Sequence, residues 1–370
     1  MMGDRPAQIL FTVPNFETAG SGRALFEVAR RLDRSLLVPS ICVARGGGRL
    51  AAEVAEAGIP LIEAPFTVAP RPLLGLAGRV RAAAKPFARR FDLWHSLHYL
   101  DDYTEPLIAR AAGARFVYTK KSMSWNRRSW LLRSFFSARI AAQNLAMMRK
   151  FFAGWPLAGK TVYLPRGIDG RRFAPPAATR SEPRDRMRVG LVAHLLPVKG
   201  QDLLVEAAAR LPQIELHLAG RPLDADYHRR LTSRIAELSL GDRVFLLGEV
   251  TDVPAFLHRL DVFVLASRPR GRMEGCPVAL LEAMASGLPV LAPAIPGAED
   301  LLAAPGCGIL LPADDRPFGD ELCVQLAALQ EDPERRRILG DAARQRVLQE
   351  FAIEKEVSRH ERLYREMLGG

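Results

Sequence analysis

Short apolar runs alternate with longer stretches of helical spacing along the whole of this chain. Residues 8–13 (QILFTV) are too few for a buried helix and end at a Pro/Gly/Ser loop, which predicts a buried strand. Residues 22–32 place Leu25, Val28, Ala29 and Leu32 on one stripe and predict a helix. The alternation continues with strands at 35–43, 60–63, 92–95 and 116–119. Helices are expected at 50–57, 73–90 (broken at Pro86) and 103–112. Residues 125–140 (WNRRSWLLRSFFSARI) interleave Arg with aromatics and Leu, which suits either an interfacial amphipathic segment or a helix with Arg at its edges. Between 175 and 186 the composition turns to Pro, Ala and charge, as a linker does. The pattern then restarts, with strands at 188–193, 215–219, 244–247, 262–266 and 290–292. Helices are expected at 202–211, 227–238, 253–259, 278–286, 320–330, 333–350 and 355–367. Alternating strands and helices predict parallel sheets covered on both faces. The expected organisation is an α/β chain of two doubly wound domains, 1–180 and 181–352. A last helix within 353–370 is expected to pack back on the first domain. Ligands of such sheets lie beyond the carboxyl ends of the strands.

Chemistry concentrates in the block EGCPVALLEAMASGLPVLAP, residues 274–293. Glu274 stands on a Gly/Pro loop. Pro277 suits the first turn of a helix, and Gly287 suits its stop. A second carboxylate, Glu282, falls about one turn in. A helix N-terminus offers free N–H groups and partial positive charge. Two carboxylates there would repel a bare phosphate, so a sugar attached to a nucleoside diphosphate fits better. Lys199-Gly200-Gln201-Asp202 opens the first helix of the second domain, a ready diphosphate site, with His194 five residues earlier.

These motifs resemble the donor site of glycosyltransferase family 4, retaining transferases of the GT-B fold, whose two Rossmann-like domains face each other across a cleft. The resemblance extends along nearly the whole chain and is stronger in its C-terminal half. It implies that Glu274 contacts hydroxyls of the transferred sugar and that Glu282 holds the ribose. It implies that Lys199 and the group at His194 clamp the diphosphate, although the family usually has Arg where this chain has His194. The loop Ala19-Gly20-Ser21-Gly22 resembles the family's glycine loop in part and makes Gly20 a candidate for close approach to phosphate or acceptor. Backbone near Val250 and around Gly275 and Val278 is expected to read base and sugar. Residues 164–169 (LPRGID) resemble the segment at the family's domain junction, with Arg166 in place of the usual Asn. Lys120 and Lys121, near His95 and His98, are candidates for an anionic acceptor or the leaving phosphate. In retaining members of this fold a donor phosphate oxygen can take the acceptor's proton, so no protein base is assigned.

Metal chemistry is not expected. Asp224-Ala225-Asp226 sits where a helix cap would, and His95 and His98 lack a partner motif. The four cysteines, Cys42, Cys276, Cys307 and Cys323, show no paired spacing, which fits a reduced cytoplasmic setting. Neither a membrane-spanning run nor a secretory leader is expected. Charge is uneven: residues 1–180 hold 28 Lys/Arg against 12 Asp/Glu, a formal +16, while residues 181–370 hold 24 against 29, a formal −5. The basic half suggests an anionic partner, and membrane surface is preferred to nucleic acid, for which no signature exists. The expectation is therefore an enzyme that needs no cofactor. It would take a nucleotide-diphosphate sugar, a UDP-sugar first, and a glycan or lipid-linked acceptor, in lipopolysaccharide or exopolysaccharide assembly. A sugar-nucleotide epimerase of the same fold and a non-catalytic membrane scaffold stay open as rivals.

Overall fold

The computed structural model describes the chain except residues 1–4, 17, 18, 47, 49, 176–184, 271–274 and 370, and except the side chains of Ala19 and Arg127. The chain forms two compact units, residues 1–167 with 353–370, and residues 168–352. The passage between them falls at Gly167/Ile168, inside the LPRGID segment, and not at 181. The last helix belongs to the first unit.

The first unit begins β1 (Ala7–Val13), α1 (Ala19–Ala29), β2 (Leu37–Val43), α2 (Leu50–Glu56), β3 (Leu61–Glu63) and α3 (Leu76–Ala84). It continues β4 (Leu93–Ser96), α4 (Thr104–Ala112), β5 (Arg115–Lys120), α5 (Arg127–Phe136), β6 (Arg139–Ala142), α6 (Leu145–Phe151) and β7 (Thr161–Tyr163). The second unit runs β8 (Met187–Val192), α7 (Gln201–Arg210), β9 (Ile214–Ala219), α8 (Ala225–Glu237), β10 (Val244–Gly248), α9 (Val253–Leu257) and β11 (Val262–Val264). It closes with α10 (Val278–Ala285), β12 (Val290–Pro293), α11 (Ala298–Leu301), β13 (Ile309–Leu311), α12 (Asp315–Glu331) and α13 (Pro333–Glu350), and α14 (Ile353–Leu368) ends the chain.

Both sheets are parallel, with orders β3-β2-β1-β4-β5-β6-β7 and β10-β9-β8-β11-β12-β13. Each puts its first strand beside its fourth, the doubly wound pattern with a topological switch point between them. Strands β6, β7 and β13 and helices α6 and α11 have no counterpart in the periodicity reading, because runs of three to seven residues carry too little pattern. Helix α12 starts at Asp315, ahead of the expected 320; Pro317 and Gly319 hide its first turn, where proline is tolerated.

A buried charge cluster holds the first unit together. Glu105, fully buried on α4, accepts from Thr12 Oγ1 (2.5 Å), Trp94 Nε1 (3.1 Å), His98 Nε2 (2.8 Å) and Arg133 (2.8 Å). Arg133 also donates to Ser96 Oγ at 2.6 Å and to the Asp102 carbonyl. Two strands and two helices meet on one carboxylate. Burial alone would raise the Glu105 carboxyl, but His98, Arg133 and the hydrogen bonds hold it well below the usual range. In segment 125–140 the core-helix reading holds for one face, with Arg133 inside it and not at an edge. Trp130 and Arg133 face inward, while Leu131, Leu132 and Phe135 are exposed.

Helix α14 docks on the same unit by its apolar face, with Ile353, Val357, Leu363, Tyr364 and Met367 in that core. His95 bridges Tyr364 Oη (2.6 Å) and Thr119 Oγ1 (2.8 Å). Arg166 is buried and pairs with Glu356 at 3.1 Å, and the Gly167 N–H donates to the same carboxylate at 2.9 Å. The chain is thus anchored just before it leaves the unit. No described helix is long and apolar enough to cross a membrane.

Glu105→Ala leaves Arg133 buried without its carboxylate and should destabilise the protein by about 3–5 kcal/mol, read as a lowered urea midpoint. Stability should also fall as pH drops below about 6.5. Burial holds the His95 and His360 rings neutral in the folded chain, below the free value, so the unfolded chain binds more protons in that range. Each ring contributes a slope of about 1.4 kcal/mol per pH unit, measurable by urea titration between pH 5 and 7 and flattened in His95→Gln.

Candidate active site

The site is built at the carboxyl edge of the second unit's sheet, around the switch point between β8 and β11. After β8 the chain passes His194, which is exposed, and makes a 3-10 turn at Pro197–Lys199. Gly200 follows in the left-handed region (φ 68°) and opens α7. Gln201 is fully buried, and its Nε2 donates to the His194 carbonyl at 2.9 Å, fixing the start of the loop. Lys199 is half-buried at the end of the turn, beside the N–H groups that begin α7.

Neighbouring loops approach this one backbone to backbone. A Cβ on Gly200 would lie 2.1 Å from the Ala266 carbonyl oxygen, just after β11. One on Gly220 would lie 1.9 Å from the Ala193 oxygen, and Gly220 N–H donates to Gly248 O at 2.7 Å. Val250 is half-buried two residues beyond β10. On the other side, Gly297 (φ 89°) would set a Cβ 2.5 Å from the Gly275 oxygen. These loops stack with no room for side chains between them, and the strand ends hold a common edge.

Helix α10 is apolar and largely buried. Pro277 is its N-cap, one position earlier than expected. Val278 is exposed, and Ala279 and Glu282 are half-buried, while Leu280, Leu281, Ala283, Met284 and Ala285 are buried. Val278 and Glu282, four apart, share the accessible stripe. Glu274 lies outside the described residues. Gly20 sits exposed in the first turn of α1, in the other unit.

Two expectations are corrected. Lys120 is fully buried, with Nζ donating to Ser124 O at 2.6 Å and lying 3.8 Å above the Trp130 ring, so it cannot receive an external anion. Lys121 is 6% exposed and donates to Leu97 O at 2.8 Å, and burial pushes its ammonium down to about 7. His95 and His98 are interior hydrogen-bonding groups. Asp224 caps α8 through the Tyr227 N–H (2.8 Å), as expected. Among the described residues no cluster of His, Cys, Asp and Glu could hold a metal.

Sequence reasoning missed Arg268, which follows β11 and grips the β8 loop. The signal was an Arg two residues beyond the apolar run ending at Ala266. A cavity of about 1450 Å³ opens beside it, lined by Lys199, Asp202, Arg268 and the α8 residues Tyr227, Arg230 and Arg234 among others. Lys199 lies on its rim, but His194, Gly275, Val278 and Glu282 do not line it. It opens on the α8 side, and a ligand spanning Lys199 and Glu282 would lie elsewhere on the edge.

Two parallel doubly wound units of this kind make up the GT-B architecture. The fold is shared over the full length with a glycosyltransferase from Rickettsia africae (TM-score 0.83, 20% identity, 98% of this chain and 99% of the other). Residues 178–346 match the model of the family described as glycosyl transferases group 1. A GDP-mannose-dependent alpha-(1-6)-phosphatidylinositol monomannoside mannosyltransferase of Mycobacterium tuberculosis is 32% identical over 211 residues, 53% of each chain. The lipopolysaccharide core biosynthesis mannosyltransferase LpsB of Rhizobium meliloti is 30% identical over 205 residues, 51% of this chain and 56% of the relative. The chain spans about half the length of these curated relatives in the match.

Gly200→Ala should destabilise the protein by about 1–3 kcal/mol, since it forces a Cβ against a carbonyl in a left-handed position. Gly241→Ala, with open space around it, should change stability by less than about 0.5 kcal/mol. Thermal unfolding of the pair separates the two outcomes.

Proposed function

We propose that this chain is a retaining glycosyltransferase. It would move a hexose from a nucleotide-diphosphate sugar to a hydroxyl of a glycan or lipid-linked acceptor in envelope polysaccharide assembly. The observation that carries the reading is the placing of Lys199 and Glu282 on the two connections that flank the switch point. Departure of the nucleoside diphosphate is the difficult step. Lys199, His194 and the first N–H groups of α7 would meet the charge that develops on it. That supply of positive charge stands in for a metal, and turnover should survive a chelator. Glu282 would hold the ribose, and Glu274 would orient the sugar. For the donor, the relatives' names support GDP-mannose ahead of the UDP-sugar that the sequence reading put first.

A thermal-shift panel of GDP, UDP, ADP and CMP with their sugars should show one nucleotide diphosphate raising Tm, because ligand stabilises only the folded state. Glu282→Ala should weaken that nucleotide by about 1.5–3 kcal/mol. Lys199→Ala should lower kcat/KM by roughly 10²–10³. Unchanged affinity in Glu282→Ala removes the ribose role. Sugar-nucleotide interconversion without acceptor would favour the epimerase, and no nucleotide binding at all the scaffold.

The acceptor side is proposed to work on anionic membrane from a cytoplasmic position. Support comes from the basic N-terminal half and from exposed Leu131, Leu132, Phe135, Leu145 and Trp155 among the exposed Arg128, Arg149 and Lys150. The four cysteines are buried and none is in a disulfide, in keeping with a reducing compartment. Each basic group near an anionic surface contributes about 1 kcal/mol. Wild type should pellet with anionic vesicles at low salt, and Arg128→Glu/Arg149→Glu/Lys150→Glu should stay in the supernatant. Arg133 is unsuited to this test, because it is the buried partner of Glu105.

A further inference from the structure

We propose that Arg268 is the positioning residue of the proposed donor site: it sets the turn that presents Lys199, and it is not itself an anion ligand. This rests on the donor reading of Lys199.

Arg268 reaches across from the connection after β11 to the one after β8. Its backbone N–H donates to the Val198 carbonyl at 2.8 Å, and its guanidinium to the Pro197 carbonyl at 2.5 Å. These are two of the three carbonyls of the 3-10 turn that ends at Lys199. The same guanidinium grips Asp202, in the first turn of α7, through two parallel bonds of 2.9 and 2.7 Å. Its Nε–H faces both oxygens of Asp315, at the start of α12, at 3.0 and 2.9 Å. Tyr227 Oη donates to Asp202 at 2.7 Å and steadies that carboxylate from α8.

Four of the five guanidinium N–H bonds are spent in this way, and two carboxylates surround one positive charge. The Arg268 charge is already engaged by Asp202 and Asp315, the latter also 3.7 Å from Arg270, and little of it is left for an arriving anion. The cation that the donor reading assigns to a diphosphate at this turn is Lys199. What Arg268 supplies is rigidity: a planar fork fixes the turn's carbonyls and the α7 start in one arrangement, and its side chain is only 12% exposed. Preorganised charge is what a leaving diphosphate requires, since a lysine on a loose turn must be ordered at the moment of reaction. Lysine cannot replace the fork, because a point charge cannot hold Asp202, Asp315 and Pro197 O together.

The test is a double-mutant cycle between Arg268→Gln and Lys199→Ala, read by calorimetric binding of GDP, UDP and the parent nucleosides, and by kcat and KM. Arg268→Lys is the second variant in case Arg268→Gln does not fold. Expected is a fall of about tenfold or more in diphosphate affinity in Arg268→Gln, with nucleoside affinity unchanged. Arg268→Lys should lie between it and wild type. In the Lys199→Ala background the Arg268 substitution should cost little further, because the group it positions is gone. Additive losses, equal losses for nucleoside and diphosphate, or full activity in Arg268→Lys would overturn the positioning role. Absence of any diphosphate binding in wild type would overturn the donor reading, and this inference with it.

Discussion

Backbone meets backbone at the carboxyl edge of the second sheet, and the placing of the described donor candidates in that unit depends on that contact. Gly200 lies against Ala266, Gly220 against Ala193, and Gly297 against Gly275, each at a distance that excludes a Cβ. Three glycine approaches of this kind tie together the connections after β8, β9, β11 and β12. The consequence is chemical as well as structural. Lys199 and Glu282 are separated by more than eighty residues of chain, yet each stands on a connection held to this common edge. A reaction that needs a cation on the diphosphate and a carboxylate on the ribose needs that separation fixed to a fraction of an ångström.

Electrostatics divides the two units differently. In the first, charge is buried and consumed internally: Glu105 with Arg133 and His98, Arg166 with Glu356, Lys120 over an aromatic ring. Such groups cannot meet a ligand, and their role is to hold strands to helices and to fasten α14. In the second unit the described charged candidates lie at or near the surface of the sheet edge, and Arg268 joins three connections. The formal +16 of the N-terminal half therefore overstates its available positive charge. What remains outside is arginine and lysine among exposed leucines and aromatics.

Much of the fold was legible in the chain. Runs such as residues 8–13 and 188–193 are apolar throughout because their strands are buried on both faces, and their length separates them from helices. The 274–293 block was legible for the same reason, with Glu282 the single carboxylate on an otherwise apolar helix. Strands β6, β7 and β13 were not legible, since three or four residues hold no period. Lys120 and Lys121 were misread as ligand groups, and the burial of His95 and His98 beside them was not legible. Their residue types suit an anion site, and nothing local records that Trp130, Leu97, Tyr364 and Glu105 close over them.

The sequence by itself determined the two doubly wound units, the order of their elements, and the residues from which a donor site could be made. These depend on periodicity, turn residues and short-range spacing, all written along the chain. Only the tertiary structure decided that the passage between units falls at 167/168 and that Arg268 joins three connections. It also decided which cations are spent inside and which stay accessible. Those outcomes depend on contacts between residues tens to hundreds of positions apart, where burial and geometry, not residue type, set what a charged group can do.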